Sequence, residues 1–306
     1  MHADGREGIL HHLAPMLPIP TDAVDAGGPP PGVRAVLFDV YGTLLISGTG
    51  DIGVAAGQHG AFGLTGLLRS LGYGRNPEMA AAQIPVLLER FITERHTELR
   101  AEGVDCPEVE IRDVWKKALA VLRNEGLIDD PDHDPNDARF IEFLAIGYEL
   151  EVNPVWSMPG FPEVVEALSN ANLRLGIVSN AQFYTPPILE SLAGKSLAEM
   201  GFEEGLCAWS YRLSRAKPSP KVFSGPLERL SEDGIAPEEV LYVGNDMLND
   251  VYAASEAGCR TCLFAGDKRS LKLRESDKRA SMTPDMTITR LSRLESLIVT
   301  GASDGD

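Results

Sequence analysis

Three short apolar runs in this chain each lead into a polar residue that can do chemistry. The run 35–38 is followed at once by Asp39, 174–178 by Ser179 and Asn180, and 240–243 by Gly244, Asn245 and Asp246. A carboxylate at the end of a buried strand is costly unless it is paired, hydrogen-bonded or metal-bound. Such an aspartate can act as a nucleophile, splitting a hard hydrolysis into two steps through an aspartyl ester or anhydride. Ser179 and Asn180 offer a hydroxyl and an amide to substrate oxygens. Asp246 and Asp250 stand at i and i+4 near the start of a helix. Together with Asp39 and Asn245 they can present hard oxygen ligands to Mg2+. Taken alone, Asp39 reads equally well as a cap or turn acid; the convergence of three strand ends sets it apart.

The elements that must position these residues alternate. From residue 160 onward, helical spacing (Val164, Val165, Leu168; Ile188, Leu189, Leu192; 222–230; 250–257) alternates with strand-like runs at 174–178, 206–211, 240–243 and 261–265. That alternation predicts an α/β fold, a doubly wound parallel sheet with helices on both faces. In such sheets the site lies beyond the carboxyl ends of the strands. Residues 84–150 instead repeat at helical spacing throughout: Leu88, Phe91, Ile92 and Leu99; Ile111, Val114, Trp115, Ala118, Leu119 and Leu122; Phe140, Phe143, Leu144 and Tyr148. This predicts an all-helical insertion. A glycine-dense stretch from Gly48 to Gly66 marks its entry. The expected organisation is an extension and linker at 1–32, an α/β core at 33–46 and 156–300, a helical cap at 47–155 and a tail at 301–306. Residues 25–32, rich in glycine and proline, read as the linker itself.

Composition narrows the function. Lys and Arg total 28 against 45 Asp and Glu, a net charge of −17. This argues against nucleic acid and against an anionic membrane surface as partners. A small anionic substrate is compatible with it, because a buried site is governed by its own residues. No apolar run approaches the length of a membrane-spanning helix, and the first 30 residues lack the features of a secretory signal. Four cysteines in 306 residues do not make a disulfide framework, which points to a reducing cytoplasm. Oligomeric state is left open.

The chain resembles the haloacid dehalogenase superfamily in four places. Phe38-Asp39-Val40-Tyr41-Gly42-Thr43-Leu44 looks like its first motif and Ser179-Asn180 like its second. Lys217-Pro218-Ser219-Pro220-Lys221-Val222-Phe223 resembles the third, and Gly244-Asn245-Asp246-Met247-Leu248-Asn249-Asp250 the fourth. The resemblance covers roughly residues 34–268, with 45–155 matching the family's helical cap by position and helicity. It implies Asp39 as nucleophile and Lys217 as the cation that keeps it ionised and neutralises an anionic substrate. Backbone N–H groups after Asp39, at Gly42 and Thr43, would form an anion-binding nest. Mg2+, held by Asp39, Asn245, Asp246 and Asp250, would shield the carboxylate from a phosphoryl group.

Two positions depart from the phosphatase pattern. Phosphatases of the family usually carry a second aspartate two residues after the nucleophile, as acid and base; Tyr41 stands there. It is counted with Asp39 and Lys217 among the catalytic candidates, although an unperturbed tyrosine is a poor acid near neutral pH. Asn245 stands where an acid often follows the glycine of the fourth motif. Tyr41 instead resembles the 2-haloacid dehalogenases, which need no metal and take halide with a cap arginine. Arg69, Arg75, Arg90 and Arg95 are candidates by location.

Other motifs have plainer explanations. Gly48-Thr49-Gly50-Asp51-Ile52-Gly53 fits a dinucleotide loop but lacks its strand–helix setting, and reads as a cap hinge. Asp130, Asp132 and Asp134 look like the start of a calcium loop, but Pro135 replaces the required glycine. Cys259 and Cys262 read as buried thiols. His11, His12 and His59 read as surface groups, and the basic residues from Lys268 to Arg279 as a solvated face.

The reading that results is a hydrolase working through an aspartyl intermediate on a small anionic substrate. A Mg2+-dependent phosphate ester or acyl phosphate hydrolase comes first and a metal-free 2-haloacid dehalogenase second. A non-catalytic binding protein on the same fold comes third.

Overall fold

The computed structural model describes residues 13–49, 60–73, 75–129 and 138–297. Six parallel strands form the central sheet in the order β5-β4-β1-β6-β7-β8. They are β1 (Ala35–Phe38), β4 (Arg174–Ser179), β5 (Phe202–Trp209), β6 (Val240–Gly244), β7 (Arg260–Phe264) and β8 (Met286–Ile288). β1 lies between β4 and β6, with Phe38 opposite Ile177 on one side and Val243 on the other. A strand buried on both faces needs a continuous apolar run, and all four residues of β1 are buried.

Two layers of helix cover the sheet. Val36 and Phe38 pack with α5 (Glu163–Asn170) and α6 (Thr185–Ala193). Ala35 and Leu37 pack on the other face with α8 (Ser224–Glu232) and α9 (Ala253–Glu256). The short α7 (Ser210–Leu213) follows β5 directly.

Between β2 (Leu45–Ser47) and β3 (Val155–Ser157), an antiparallel pair, the described elements are all helical. They are α1 (Gly60–Ser70), α2 (Pro77–Ala101), α3 (Ile111–Asn124) and α4 (Ala138–Val152). The apolar face expected on α3 is buried in all six positions. On α4, Phe143 departs from expectation and is exposed. The loop between α2 and α3 descends to the core. Cys106 C=O accepts from Ala216 N–H at 2.7 Å, Glu108 N–H donates to Ser214 C=O at 3.1 Å, and Ser219 Oγ donates to Asp105 at 2.7 Å.

Several boundaries differ from the sequence reading. β5 starts earlier than 206 and ends at Trp209, so Tyr211 belongs to α7. Its polar start, Glu203-Glu204-Gly205, hid it; Glu203 is there as the partner of the Arg174 guanidinium on the neighbouring strand. The helix expected from 250 opens earlier, as a wide turn over Met247–Tyr252. Asp246 caps that turn by accepting from Leu248 N–H at 2.8 Å and Asn249 N–H at 3.0 Å.

Part of the segment read as a linker is held on the core. Ala26 exchanges two backbone hydrogen bonds with Thr287 of the edge strand β8, at 3.0 and 2.8 Å, and Asp25 accepts from Thr289 N–H at 2.8 Å. An edge strand has unpaired backbone groups, and this stretch satisfies some of them. The tail, most of the supposed hinge (Gly50 to Gly53), the supposed calcium loop (Asp130 to Asp134), His11, His12 and His59 lie outside the described residues. Cys259 and Cys262 are both buried free thiols, and burial pushes Cys259 up to about 12.

Candidate active site

Asp39 leaves β1 at the centre of the sheet, where two neighbouring strands end beside it. Its N–H donates to Val243 C=O at 2.9 Å, which continues the ladder one residue past the strand. Its side chain is 9% exposed. Oδ1 accepts from Ser179 Oγ at 3.0 Å and from Lys217 Nζ at 2.7 Å. Oδ2 has no hydrogen-bond partner among the described residues and is left to react.

Lys217 uses all three of its protons. Besides Asp39, Nζ donates to Asp250 Oδ1 at 2.5 Å and Tyr242 Oη at 2.7 Å. Tyr242 passes its own proton to Val178 C=O at 2.6 Å. Burial alone would lower the lysine, but Asp250 and Asp39 outweigh it and hold it above its usual range. Lys217 therefore stays charged. Burial pushes Asp250 up to about 7, against the pull of Lys217, and the neighbouring charges of Asp39 and Asp246 add to the rise. Gly244 makes the approach possible: a Cβ there would sit 2.3 Å from Asp250 Cγ.

The remaining predicted residues are close by but occupied. Asn180 Oδ1 accepts from Lys217 N–H at 2.7 Å and its Nδ2 donates to Lys217 C=O at 3.3 Å. It positions the lysine's backbone rather than offering its amide to substrate. Gly42 N–H donates to Leu45 C=O at 2.6 Å and Thr43 N–H to Val40 C=O at 3.1 Å, so the expected nest uses these donors within its own turn. Gly42 has φ +86°, and a Cβ there would meet Ser270 Cβ at 2.4 Å. The Tyr41 hydroxyl is taken by Thr185 Oγ1 at 2.9 Å, and burial, with Glu149 next, holds its pKa far above the usual range. It is not placed as an acid for the reaction.

The four residues expected to hold Mg2+ do not fit that ion in this arrangement. Asp39 and Asp250 share Lys217. Asp246 accepts two N–H groups of its own turn and is also gripped by Arg274, with Nε 3.0 Å and Nη2 2.6 Å from Oδ2. Asn245 Oδ1 accepts from Thr43 Oγ1 at 3.1 Å while its Nδ2 donates to Ser270 C=O at 2.6 Å. Among the described residues no group of three or more His, Cys, Asp or Glu side chains is arranged to hold a metal. Arg274 was read as part of a solvated basic face. It pairs with Asp246 because a chain turn with φ +54° brings it back over the fourth motif.

A cavity of about 520 Å3 opens beside this cluster. It borders Asn180, Ala216 and Asn249, the chain neighbours of Ser179, Lys217 and Asp250. Its walls come from α2, α3 and α4 and from the loop that carries Glu108. Glu149 on α4 is 8% exposed; it accepts from Tyr184 Oη at 3.0 Å and Asn153 Nδ2 at 3.3 Å. Burial pushes it up to about 7, against the lowering effect of those two bonds. Glu108 is raised by burial as well, against bonds from Val109 N–H and Ser210 Oγ. None of the four candidate cap arginines borders the cavity. Arg69 pairs with Glu78, Arg75 with Asp129, Arg90 with Glu94 and Arg95 with Glu98. Sequence reading missed Tyr242, Arg274, Glu108 and Glu149. Only Tyr242 carried a signal, as a tyrosine inside a buried strand that must find a partner for its hydroxyl.

Fold and site together define a class: a parallel α/β hydrolase core with an aspartate at the end of its central strand and a helical insertion beside it. The model of the haloacid dehalogenase-like hydrolase family matches residues 33–258, and the chain belongs to that family. It is a hydrolase. It is similar to the N-acetylmuramic acid 6-phosphate phosphatase of Pseudomonas aeruginosa, 28% identical over 75% of this chain and 80% of that protein. It is similar also to the phospholysine phosphohistidine inorganic pyrophosphate phosphatase of Xenopus laevis, 27% identical over 88% of this chain and 95% of that one. The crystal structure of a 2-haloacid dehalogenase from Pseudomonas syringae shares the fold, with a TM-score of 0.53 at 18% identity over 87% of this chain and 98% of the other.

Proposed function

We propose that this chain hydrolyses a small phosphate monoester or acyl phosphate through a phospho-aspartyl intermediate on Asp39. The observation that carries the reading is the division of labour on the Asp39 carboxylate. Ser179 and Lys217 both hold Oδ1, and Oδ2 is left free to attack. Oδ2 forms a bond to phosphorus as the bond to the leaving oxygen breaks. An ester's leaving oxygen takes a proton from water; an acyl phosphate leaves as a carboxylate and needs none. Water then attacks the same phosphorus and releases inorganic phosphate, restoring Asp39. Lys217 orients the carboxylate and offsets its charge as the anionic group approaches. The helical insertion serves as a cap that keeps bulk water from the intermediate.

The similar phosphatases support phosphoryl chemistry, and the cavity weighs against 2-haloacids. A haloacid brings a carboxylate and releases a halide, both anions. The described walls of the cavity carry Glu89, Glu108 and Glu149 and no Lys or Arg. Free cysteines and the acidic balance accord with a cytoplasmic enzyme without nucleic-acid or membrane partners.

The test is phosphate release from a panel of phosphomonoesters and acyl phosphates, with and without Mg2+. Asp39→Asn should lower turnover by about 10^3-fold or more, the scale of losing a covalent nucleophile. A single turnover on an ester whose phosphoryl group is made chiral with oxygen isotopes should proceed with net retention at phosphorus, the outcome of two successive in-line displacements. Inversion at phosphorus, the mark of a single direct displacement by water, would overturn the covalent route. No release from any compound by the folded protein would overturn the reading as a whole.

A further inference from the structure

Resting on the phosphatase reading, we infer that the cavity selects esters whose leaving group carries an ammonium, seated between Glu108 and Glu149 against Tyr148 and Tyr184.

Charge makes the first argument. Every ionisable side chain on the described walls is an acid, a tyrosine or His96. Burial, with Arg100 next, holds His96 below its usual range, which disfavours its charged form. Arg112, which follows the wall residue Ile111 in the chain, is committed elsewhere: it pairs with Glu110 and Glu142 and lies over the Phe183 ring.

Partners make the second. Glu149 is held by a tyrosine hydroxyl and an asparagine amide. Glu108 is held by a backbone N–H, a serine hydroxyl at 3.0 Å and the Gln182 amide at 3.4 Å. All of these partners are neutral. A buried carboxyl without a cation is destabilising, and a cation on the ligand relieves that cost.

The aromatic surface makes the third. Tyr148 is 5% exposed, lines the cavity, and its hydroxyl has no partner among the described residues. Trp115 braces it edge-on, with ring centroids 5.4 Å apart. Tyr184 stands on the Glu149 side. Aromatic faces beside desolvated carboxylates are the chemistry that binds organic ammonium groups. In the reaction, the positive charge sits next to the oxygen that leaves and stabilises the negative charge developing there.

The experiment compares kcat/KM for phosphoethanolamine and phosphocholine with neohexyl phosphate, in which carbon replaces the nitrogen, and with phosphoglycolate. An ammonium ester should exceed neohexyl phosphate by about tenfold or more, the worth of one desolvated cation contact. Glu149→Gln should narrow that ratio to about threefold or less while thermal melting verifies the fold; Glu108→Gln provides the second variant should the first not fold. Equal or faster release from neohexyl phosphate or phosphoglycolate overturns the selection and leaves the phosphatase reading standing. An undiminished ratio in both folded variants overturns the assignment of the two glutamates. Failure to release phosphate from either ammonium ester overturns this inference; the phosphatase reading falls with it only if the wider panel of phosphomonoesters and acyl phosphates is silent as well.

Discussion

The guanidinium of Arg274 lies against the carboxylate of Asp246, with Nη2 2.6 Å from Oδ2. It supplies from within the chain the positive charge that a divalent ion would otherwise bring to the fourth motif. Arg274→Gln should therefore leave Asp246 open to Mg2+. We expect Mg2+ to raise the melting temperature of the variant and not of the parent. In chelator the variant should lose about 1.5–3 kcal/mol, the worth of hydrogen bonds to a charged group. Equal stabilisation of both proteins by Mg2+ would show that Arg274 does not guard the site.

Among the described residues Lys217 is the only cation that touches the two buried carboxylates Asp39 and Asp250. Lys217→Met should destabilise by about 3–5 kcal/mol, because both charges lose their partner. Adding Asp250→Asn to that variant should recover part of the loss. Urea titration measures both, and a loss in the double variant equal to the sum of the two single losses would refute the coupling.

Tyr41→Phe should cost about 1 kcal/mol through the lost bond to Thr185. Turnover should stay within about threefold, because the hydroxyl is bonded to Thr185 and held far above the usual tyrosine range; a general acid would contribute on the order of 10^2-fold or more. Steady-state rates on the best ester decide between them.

Glu149 gives a pH signature. Burial raises it from an ordinary 4.5 to about 7. Between those values the native state holds a proton that the unfolded chain has released. Its contribution is present in full below the unfolded value and fades as pH rises through the folded one. Unfolding free energy relative to Glu149→Gln should thus fall by about 3 kcal/mol between pH 4 and pH 8, which denaturant melts would show. A flat difference would mean that Glu149 is ionised in the native state.

The strand ends were readable because a parallel strand buried on both faces is a bare apolar run, so a polar residue at its end stands out. Asp39, Ser179 and Lys217 do meet in space. The occupation of their neighbours was not readable. That Asn180 would spend its amide on the backbone of Lys217, and Thr43 its hydroxyl on Asn245, depends on loop paths that spacing does not encode. β2, β3 and β8 are three residues each, too short for periodicity to show. Glu149 passed as one more polar residue of an amphipathic helix. Only packing reveals that it faces inward without a cation.

The loop at 105–111 hangs from the insertion, yet it is fastened to the stretch of chain that carries Lys217, through Cys106 to Ala216 and Asp105 to Ser219. Gln182, next to the second motif, grips it again by donating to Val109 C=O at 3.0 Å and accepting from Ile111 N–H at 3.1 Å. The setting of the nucleophile therefore rests on residues of the insertion as well as on the strand ends, because the segment that holds the ammonium against Asp39 is braced from both sides.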